Sequence, residues 1–149
     1  MKYEFSKGTL AIVPNENSSL VYEDDERYLI EEKPLKIMED SCKYYGSTYH
    51  GRKDCAKEIL GADYKVPIIL EDYNRIIALP TASPNSNDCA WLSLHRIHHF
   101  LKVDAVNTRV VFDNGKDIIL PISYRSLENQ ISRASRLDCI MRNRKIKED

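Results

Sequence analysis

The residues with the widest chemical repertoire in this sequence include a cluster of one cysteine and three histidines. Cys89, His95, His98 and His99 lie close together along the chain, and zinc accepts thiolate and imidazole ligands. His95 and His99 would share one face of a helix, since residues four apart are neighbours there. The segment lacks the paired Cys-x-x-Cys of common zinc sites. We therefore expect no metal site and no cofactor.

Other arrangements that could support catalysis carry little information. Cys42 and His50 offer a thiol and a base. Residues 31–33 (EEK) match the minimal acidic-x-lysine element of some metal-dependent nucleases, but chance produces such triplets freely when 30% of the residues are charged. The sequence has no P-loop, no glycine-rich dinucleotide turn and no Gly-x-Ser-x-Gly motif. We expect a protein that is not an enzyme, and a metal-dependent enzyme using Cys89 and the histidines is an alternative.

Residues 41–53 (SCKYYGSTYHGRK) combine basic and aromatic side chains in a way that suits a nucleic-acid surface. Lysine and arginine neutralise phosphates, and tyrosine hydroxyls on a glycine-containing backbone can follow a groove. The alternative is a surface loop whose tyrosines are half-buried in the core. The candidate DNA-binding residues here are Lys43, Arg52 and Lys53, with Tyr44, Tyr45 and Tyr49 as groove-lining or supporting groups.

A second candidate surface lies in the last part of the chain. Asn129, Arg133 and Arg136 recur at helical spacing on a face turned away from the apolar residues of the same stretch. Amide and guanidinium groups bind base edges, and arginine is favoured in the narrow minor groove of A-T-rich DNA. The alternative is an ordinary solvated helix face, since basic residues near a helix C-terminus complement its dipole.

Charge is distributed unevenly along a chain whose net charge is only −1. Residues 1–32 hold eight acidic and three basic side chains, a net of −5, whereas residues 123–149 hold seven basic and four acidic ones, a net of +3. The near-neutral total lacks the overall basicity of many nucleic-acid-binding proteins. Any DNA contact would therefore depend on local basic surfaces.

Hydrophobic periodicity and turn residues predict the elements that must position these side chains. Short apolar runs bounded by turns predict strands over residues 9–13, 28–31, 66–70, 75–80 and 90–94. Asn114-Gly115 predicts a tight hairpin between strands 108–112 and 117–120, because this pair readily adopts positive φ. Apolar residues at helical spacing between Gly51 and Gly61 predict a short helix.

After Pro121 the apolar period becomes helical, with Ser123 as a candidate N-cap. The predicted apolar stripe consists of Leu127, Ile131, Ala134, Leu137 and Met141. We therefore expect an α+β fold: antiparallel strands and hairpins, a short middle helix and a basic amphipathic C-terminal helix. A chain of 149 residues is expected to form a single domain over residues 1–149.

The cysteines and the chain start indicate the compartment. The sequence begins MKYEFSKG, without a charged-then-apolar leader, and its apolar runs fall far short of the ~20 residues that span a bilayer. We expect a cytoplasmic protein outside the membrane, with reduced thiols at Cys42, Cys55, Cys89 and Cys139.

Four motifs in the same order resemble the ComK family of competence transcription factors. They are SCKYYGSTYHGRK at residues 41–53, PTAS at 80–83, CAWLS at 89–93 and NGKDIILPISYRSLENQ at 114–130. The resemblance extends from about Gly8 to the final helix. It implies a nucleoid-associated activator of bacterial DNA-uptake genes that binds A-T-rich promoter boxes in double-stranded DNA, largely through the minor groove and as a dimer or higher oligomer.

The resemblance also raises questions of regulation. A proteolytic adaptor is a further implied partner. Members of the family often continue beyond the region of the last helix, whereas this sequence ends at Asp149 after RNRKIKE, so we expect activation or proteolytic control to differ. The alternative function is that of a paralogue that has lost DNA binding and acts by mixed oligomerisation. No family motif identifies the base contacts.

Overall fold

The structure is a computed structural model that describes residues 2–146. Its helices in that range are α1 (Pro34–Tyr44), α2 (Tyr49–Leu60) and α3 (Tyr124–Ile146), and a 3-10 turn covers Leu94–Arg96. Its strands are β1 (Thr9–Asn15), β2 (Ser18–Glu23), β3 (Arg27–Ile30), β4 (Ile68–Glu71), β5 (Ile76–Pro80), β6 (Trp91–Ser93), β7 (Ile97–Lys102), β8 (Thr108–Phe112) and β9 (Asp117–Leu120).

The strands form two antiparallel sheets. The larger has the order β3-β2-β1-β6-β5-β4, and the smaller has the order β7-β8-β9. Within the larger sheet, the short strand β6 pairs with β1 on one side and with β5 on the other. The strand that follows β5 in the chain, β6, therefore lies in the centre of the sheet, between β1 and β5.

Each face of the larger sheet carries its own hydrophobic core. On one face, α1 packs Ile37 and Met38 against sheet residues that include Trp91. On the other face, α3 and the smaller sheet bury Leu137 and Phe112 in a second core. Helix α2 contacts α1, β4 and α3, so it links the two sides at the β4 edge.

The structure confirms the α+β class and most of the predicted elements. All seven predicted strands are present, and the helix between the two glycines is α2, capped by the Thr48 side chain, which accepts a hydrogen bond from the Gly51 amide. Ser123 caps α3 as expected, with its Oγ 3.2 Å from the Ser126 amide nitrogen. Leu127, Ala134 and Leu137 are buried, and Ile131 and Met141 pack against the same core; this list is the predicted apolar stripe.

The alternative in which residues 41–53 form a surface loop is wrong. They contain the end of α1, a short turn and the start of α2. Pro34 occupies the first turn of α1, and Ile37, Met38 and Cys42 form its buried face at helical spacing. The turn is tight because Gly46 adopts a φ of 88°. The basic and aromatic side chains of this segment are therefore held by two helices.

The helical spacing considered for His95 and His99 is also wrong. His95 lies in the 3-10 turn, whereas His98 and His99 lie on strand β7. Among residues 2–146, no three His, Cys, Asp or Glu side chains come together as metal ligands would. The four cysteines are free thiols. Between residues 2 and 146 no helix is both long enough and apolar enough to cross a bilayer.

We predict that Gly61→Ala destabilises the protein by about 1 kcal/mol, because Gly61 ends α2 with a φ of 64° that alanine adopts only with strain. The free energy of unfolding in urea measures the effect. Gly8→Ala is the matched control, since its φ is not positive and its new Cβ would meet only Ser6 Oγ at 3.8 Å. Equal stability of the two variants would contradict the prediction.

Candidate nucleic-acid interface

Helix α3 is fixed to the body of the protein by a buried amide side chain. Gln130 is 3% exposed, and its Nε2 donates hydrogen bonds to the carbonyl oxygens of Lys65 and Pro80, both at 2.8 Å. One carbonyl precedes β4 and the other ends β5. Because a buried amide is costly unless it is hydrogen-bonded, this contact fixes both the rotation and the height of α3 on the sheet.

A buried carboxylate fixes the second half of α3. Asp138 is 5% exposed; its Oδ2 accepts a hydrogen bond from Arg75 at 2.5 Å and lies 3.1 Å from His95 Nε2. Arg142, one turn further on, lies 3.7 Å from its other oxygen. Burial raises the pKa of Asp138, but the hydrogen bond and charge of Arg75 outweigh burial, so the pKa is below its usual range. Asp138 is therefore ionised at neutral pH.

With its inner side fixed, α3 exposes a row of polar side chains that we call the outer face of α3. Arg125, Asn129, Ser132 and Arg136 recur every three or four residues, and all are exposed. Within residues 2–146, the side chains of Arg125, Asn129 and Arg136 have no hydrogen-bond or ion-pair partner. The structure thus presents predicted residues Asn129 and Arg136 on one surface. Sequence reasoning omitted Ser132, which the same spacing indicates.

Arg133 has a different environment from Asn129 and Arg136. Its Nη2 donates to the carbonyl of Tyr64 at 2.7 Å, and its Nη1 donates to Gln130 Oε1 at 2.6 Å and to the carbonyl of Lys65 at 3.2 Å. Burial lowers the pKa of Arg133, whose ionised side chain is retained through these acceptors. The side chain ties α3 to the loop that follows α2.

Arg52, the only arginine of residues 41–53, also has hydrogen-bond and ion-pair partners within the protein. Its Nη2 lies 3.2 Å from Asp72 Oδ2, and its Nε lies 3.2 Å from Ser47 Oγ. Lys145, near the end of α3, contacts the same Asp72 oxygen at 3.0 Å. The start of α2 therefore lies near the end of α3, while the loop after α2 contacts Arg133. The two helices run antiparallel.

The remaining residues of the first segment fall into two groups. The Tyr45 hydroxyl donates to the carbonyl of Phe5 at 2.7 Å. The Tyr49 ring packs edge-on against Trp91 with 6.2 Å between centroids, and burial raises the pKa of Tyr49. Both tyrosines support the core. Tyr44, by contrast, is 66% exposed, and Lys43 and Lys53 have no ion-pair partner in the described part of the chain.

We predict that Arg133→Ala lowers the free energy of unfolding by about 1–3 kcal/mol, because it leaves the carbonyls of Tyr64 and Lys65 without their charged donor. Arg136→Ala is the control on the same helix and should change stability by less than about 0.5 kcal/mol. Urea unfolding of both variants checks this, and a larger loss from Arg136→Ala would refute the assignment of roles.

We predict that Asp138→Asn destabilises the protein by about 1–3 kcal/mol at pH 7, because it removes the charge that Arg75 and His95 face. A lowered folded-state pKa gives stability that is present above the unfolded pKa of about 3.9 and is lost as the pH falls through the folded value. The difference from the unsubstituted protein should therefore shrink below about pH 4. Unfolding at pH 7 and pH 3 tests this.

Asp63→Asn provides the control for the carboxylate variant. The Asp63 side chain is 94% exposed and lies 4.0 Å from Lys57, so removal of its charge should have little effect on stability at either pH. An equal loss from both substitutions would mean that the buried position of Asp138 is unimportant.

Comparisons with known proteins identify the family of this chain. The family model described as ComK protein matches residues 1–146. The chain is 36% identical over 137 residues to a competence transcription factor of Bacillus subtilis (strain 168), an alignment that covers 89% of this chain and 71% of the relative. No solved structure matches this chain. The chain therefore belongs to the ComK family, a family of competence transcription regulators and not of enzymes.

Proposed function

We propose that this protein activates competence genes by binding A-T-rich promoter DNA through the outer face of α3. The observation that carries the proposal is the row formed by Arg125, Asn129, Ser132 and Arg136, which is exposed and has two unpaired cations among the described residues. Arginine and asparagine are side chains that recognise base edges. The protein would act in the cytoplasm, at the nucleoid.

The dimensions of α3 restrict how it can read a groove. Its 23 residues correspond to about 34 Å, the length of one turn of B-DNA. A helix about 10–12 Å wide does not fit into a minor groove about 6 Å wide. Minor-groove recognition would therefore use arginine side chains that project from the helix, and A-T tracts favour it because their narrow groove has an enhanced negative potential.

The other candidate residues have different proposed roles. Lys53, on the α2 helix that contacts α3, and Lys43 have no ion-pair partner in the described range and would neutralise phosphates. Lys43 and exposed Tyr44 end α1 on the opposite face of the larger sheet, so they would contact DNA away from the outer face of α3. Arg52 and Arg133 can contact DNA only while they also hold Asp72 and the loop carbonyls. Tyr45 and Tyr49 would support the surface from the core side. Paired boxes would be occupied by an oligomer, and a proteolytic adaptor would be a further partner.

We predict that an A-T-rich duplex is bound more tightly than a G-C-rich duplex, and that affinity falls with salt. If about four phosphates are neutralised per protomer, the logarithm of affinity should fall against the logarithm of salt concentration with a slope of about −3.6. Fluorescence anisotropy at several salt concentrations measures both. Absence of binding by the unsubstituted protein would favour a paralogue that acts through protein contacts.

We predict that Arg136→Ala weakens binding to the A-T-rich duplex by about 1–3 kcal/mol and reduces the preference over the G-C-rich duplex. Arg27→Ala is the matched control, because Arg27 is an exposed arginine on β3, next to the acidic turn. Equal affinities of the two variants would remove the outer face of α3 from the interface.

A further inference from the structure

Strand β7 carries two adjacent histidines whose rings meet on its exposed side. His98 Nδ1 and His99 Nδ1 lie 2.8 Å apart, and the ring planes are nearly perpendicular, at 80°. Both side chains are exposed. We call these two residues the histidine pair. Successive side chains of a regular strand point to opposite faces of the sheet, so a local irregularity must bring the two rings together.

A β-bulge is that irregularity. Ile97 lies opposite Phe112 and His99 lies opposite Val111, so two steps along β7 match one step along β8. The residues on either side of the histidine pair pack against the core, whereas the pair itself is exposed. His98 is therefore the extra residue of the bulge. Bulges re-aim side chains in this way and are over-represented beside functional sites.

The histidine pair is accessible to ions from solvent. β7 is an edge strand of the smaller sheet, so only one of its two sides pairs with another strand. Among residues 2–146, no third His, Cys, Asp or Glu side chain joins the two rings. A metal bound here would have two protein ligands and water at its remaining positions, so it would be an open site that exchanges with solvent.

The distance between the two nitrogens distinguishes among metals. Imidazole nitrogens bind metals at about 2.0–2.1 Å. Two of them in adjacent positions of a square-planar or octahedral ion therefore lie about 2.9 Å apart, whereas two at a tetrahedral ion lie about 3.3–3.4 Å apart. The observed 2.8 Å agrees with the first arrangement. Cu(II) and Ni(II) favour square-planar or tetragonal geometry with nitrogen ligands, whereas Zn(II) favours a tetrahedral one.

We propose that the histidine pair binds a divalent transition metal of the Cu(II) or Ni(II) class through both Nδ1 atoms. Without a metal, the Nδ1–H of one ring donates a hydrogen bond to Nδ1 of the other ring. The metal takes the place of that proton, which moves through solvent to Nε2 of its own ring. Both imidazoles stay neutral, and the number of protons on the pair is unchanged. Mg²⁺ and Ca²⁺ are excluded, because they require oxygen ligands and the pair offers only nitrogen.

The test is isothermal titration calorimetry of the whole chain, prepared without an affinity tag, with nickel chloride. Ni(II) is the probe because an exposed thiol such as that of Cys139 would reduce Cu(II). We expect one Ni(II) ion per chain. His98→Ala and His99→Ala should each weaken the affinity at least about tenfold, since even changes in the residues behind a metal ligand cost about 10–100-fold. Zn(II) should bind less tightly than Ni(II), because the distance between the nitrogens is too short for a tetrahedral ion.

His50→Ala is the matched control. The His50 side chain is 86% exposed and lies 3.2 Å from the carboxylate of Asp54, so it offers one imidazole on α2 without a second one beside it. Its substitution should leave the affinity for Ni(II) unchanged. Circular dichroism confirms that every variant is folded.

Nuclear magnetic resonance of the unsubstituted protein gives a second measurement that needs no variant. Octahedral Ni(II) is paramagnetic, so a small amount of it should broaden the ring resonances of His98 and His99 before those of His50 and His95.

Each of four results would overturn the inference: no binding up to about 1 mM Ni(II), unchanged affinity in His98→Ala or His99→Ala, tighter binding of Zn(II) than of Ni(II), or broadening that begins at His50 or His95. None of these measurements involves DNA, so they test the metal site independently of the proposed function.

Discussion

The larger sheet depends on a strand of three residues. β6 joins β1 through the pairs Ala11–Leu92 and Ile12–Trp91, and it joins β5 through three further pairs. Trp91 and Leu92 belong to the cores on opposite faces, and both are completely buried. The first three strands and the β4–β5 hairpin therefore form one sheet only because β6 lies between them, and the same strand connects the two hydrophobic cores.

The position of the candidate DNA surface follows from this central strand. The 3-10 turn directly after β6 carries His95, which contacts Asp138 of α3, and Arg96, which pairs with Asp24 and Asp113. Asp138 also accepts a hydrogen bond from Arg75, which lies in the turn before β5. The outer face of α3 and the smaller sheet are thus oriented by contacts that begin at the centre of the larger sheet. Through Asp24, Arg96 also neutralises part of the net negative charge of residues 1–32.

Local patterns in the sequence correctly predicted the elements that are bounded by strong turn residues. They failed where aromatic or polar residues obscured the regular spacing of the apolar residues. Gly61 and Asn114-Gly115 marked a helix end and a hairpin correctly. Helix α1 was not predicted, because the glycine and tyrosines after Cys42 suggested a loop. Pro34 and the helical spacing of Ile37, Met38 and Cys42 did indicate a helix. The candidate site was predicted only as a set of residue types. Arg52 and Arg133 acquire their partners, Asp72 and the Tyr64 carbonyl, from distant parts of the chain, which no spacing rule reveals.

The location of Trp91 has a practical optical consequence. It is the only tryptophan of the chain, it is completely buried against the Tyr49 ring, and its indole N–H has no hydrogen-bond partner among the described residues. The emission of an indole in such a buried, apolar environment lies at short wavelength and shifts to the red when unfolding exposes the ring to solvent. Intrinsic fluorescence of this protein therefore reports the integrity of the central sheet, and it is insensitive to molecules that bind to the surface of α3 unless they disturb that sheet.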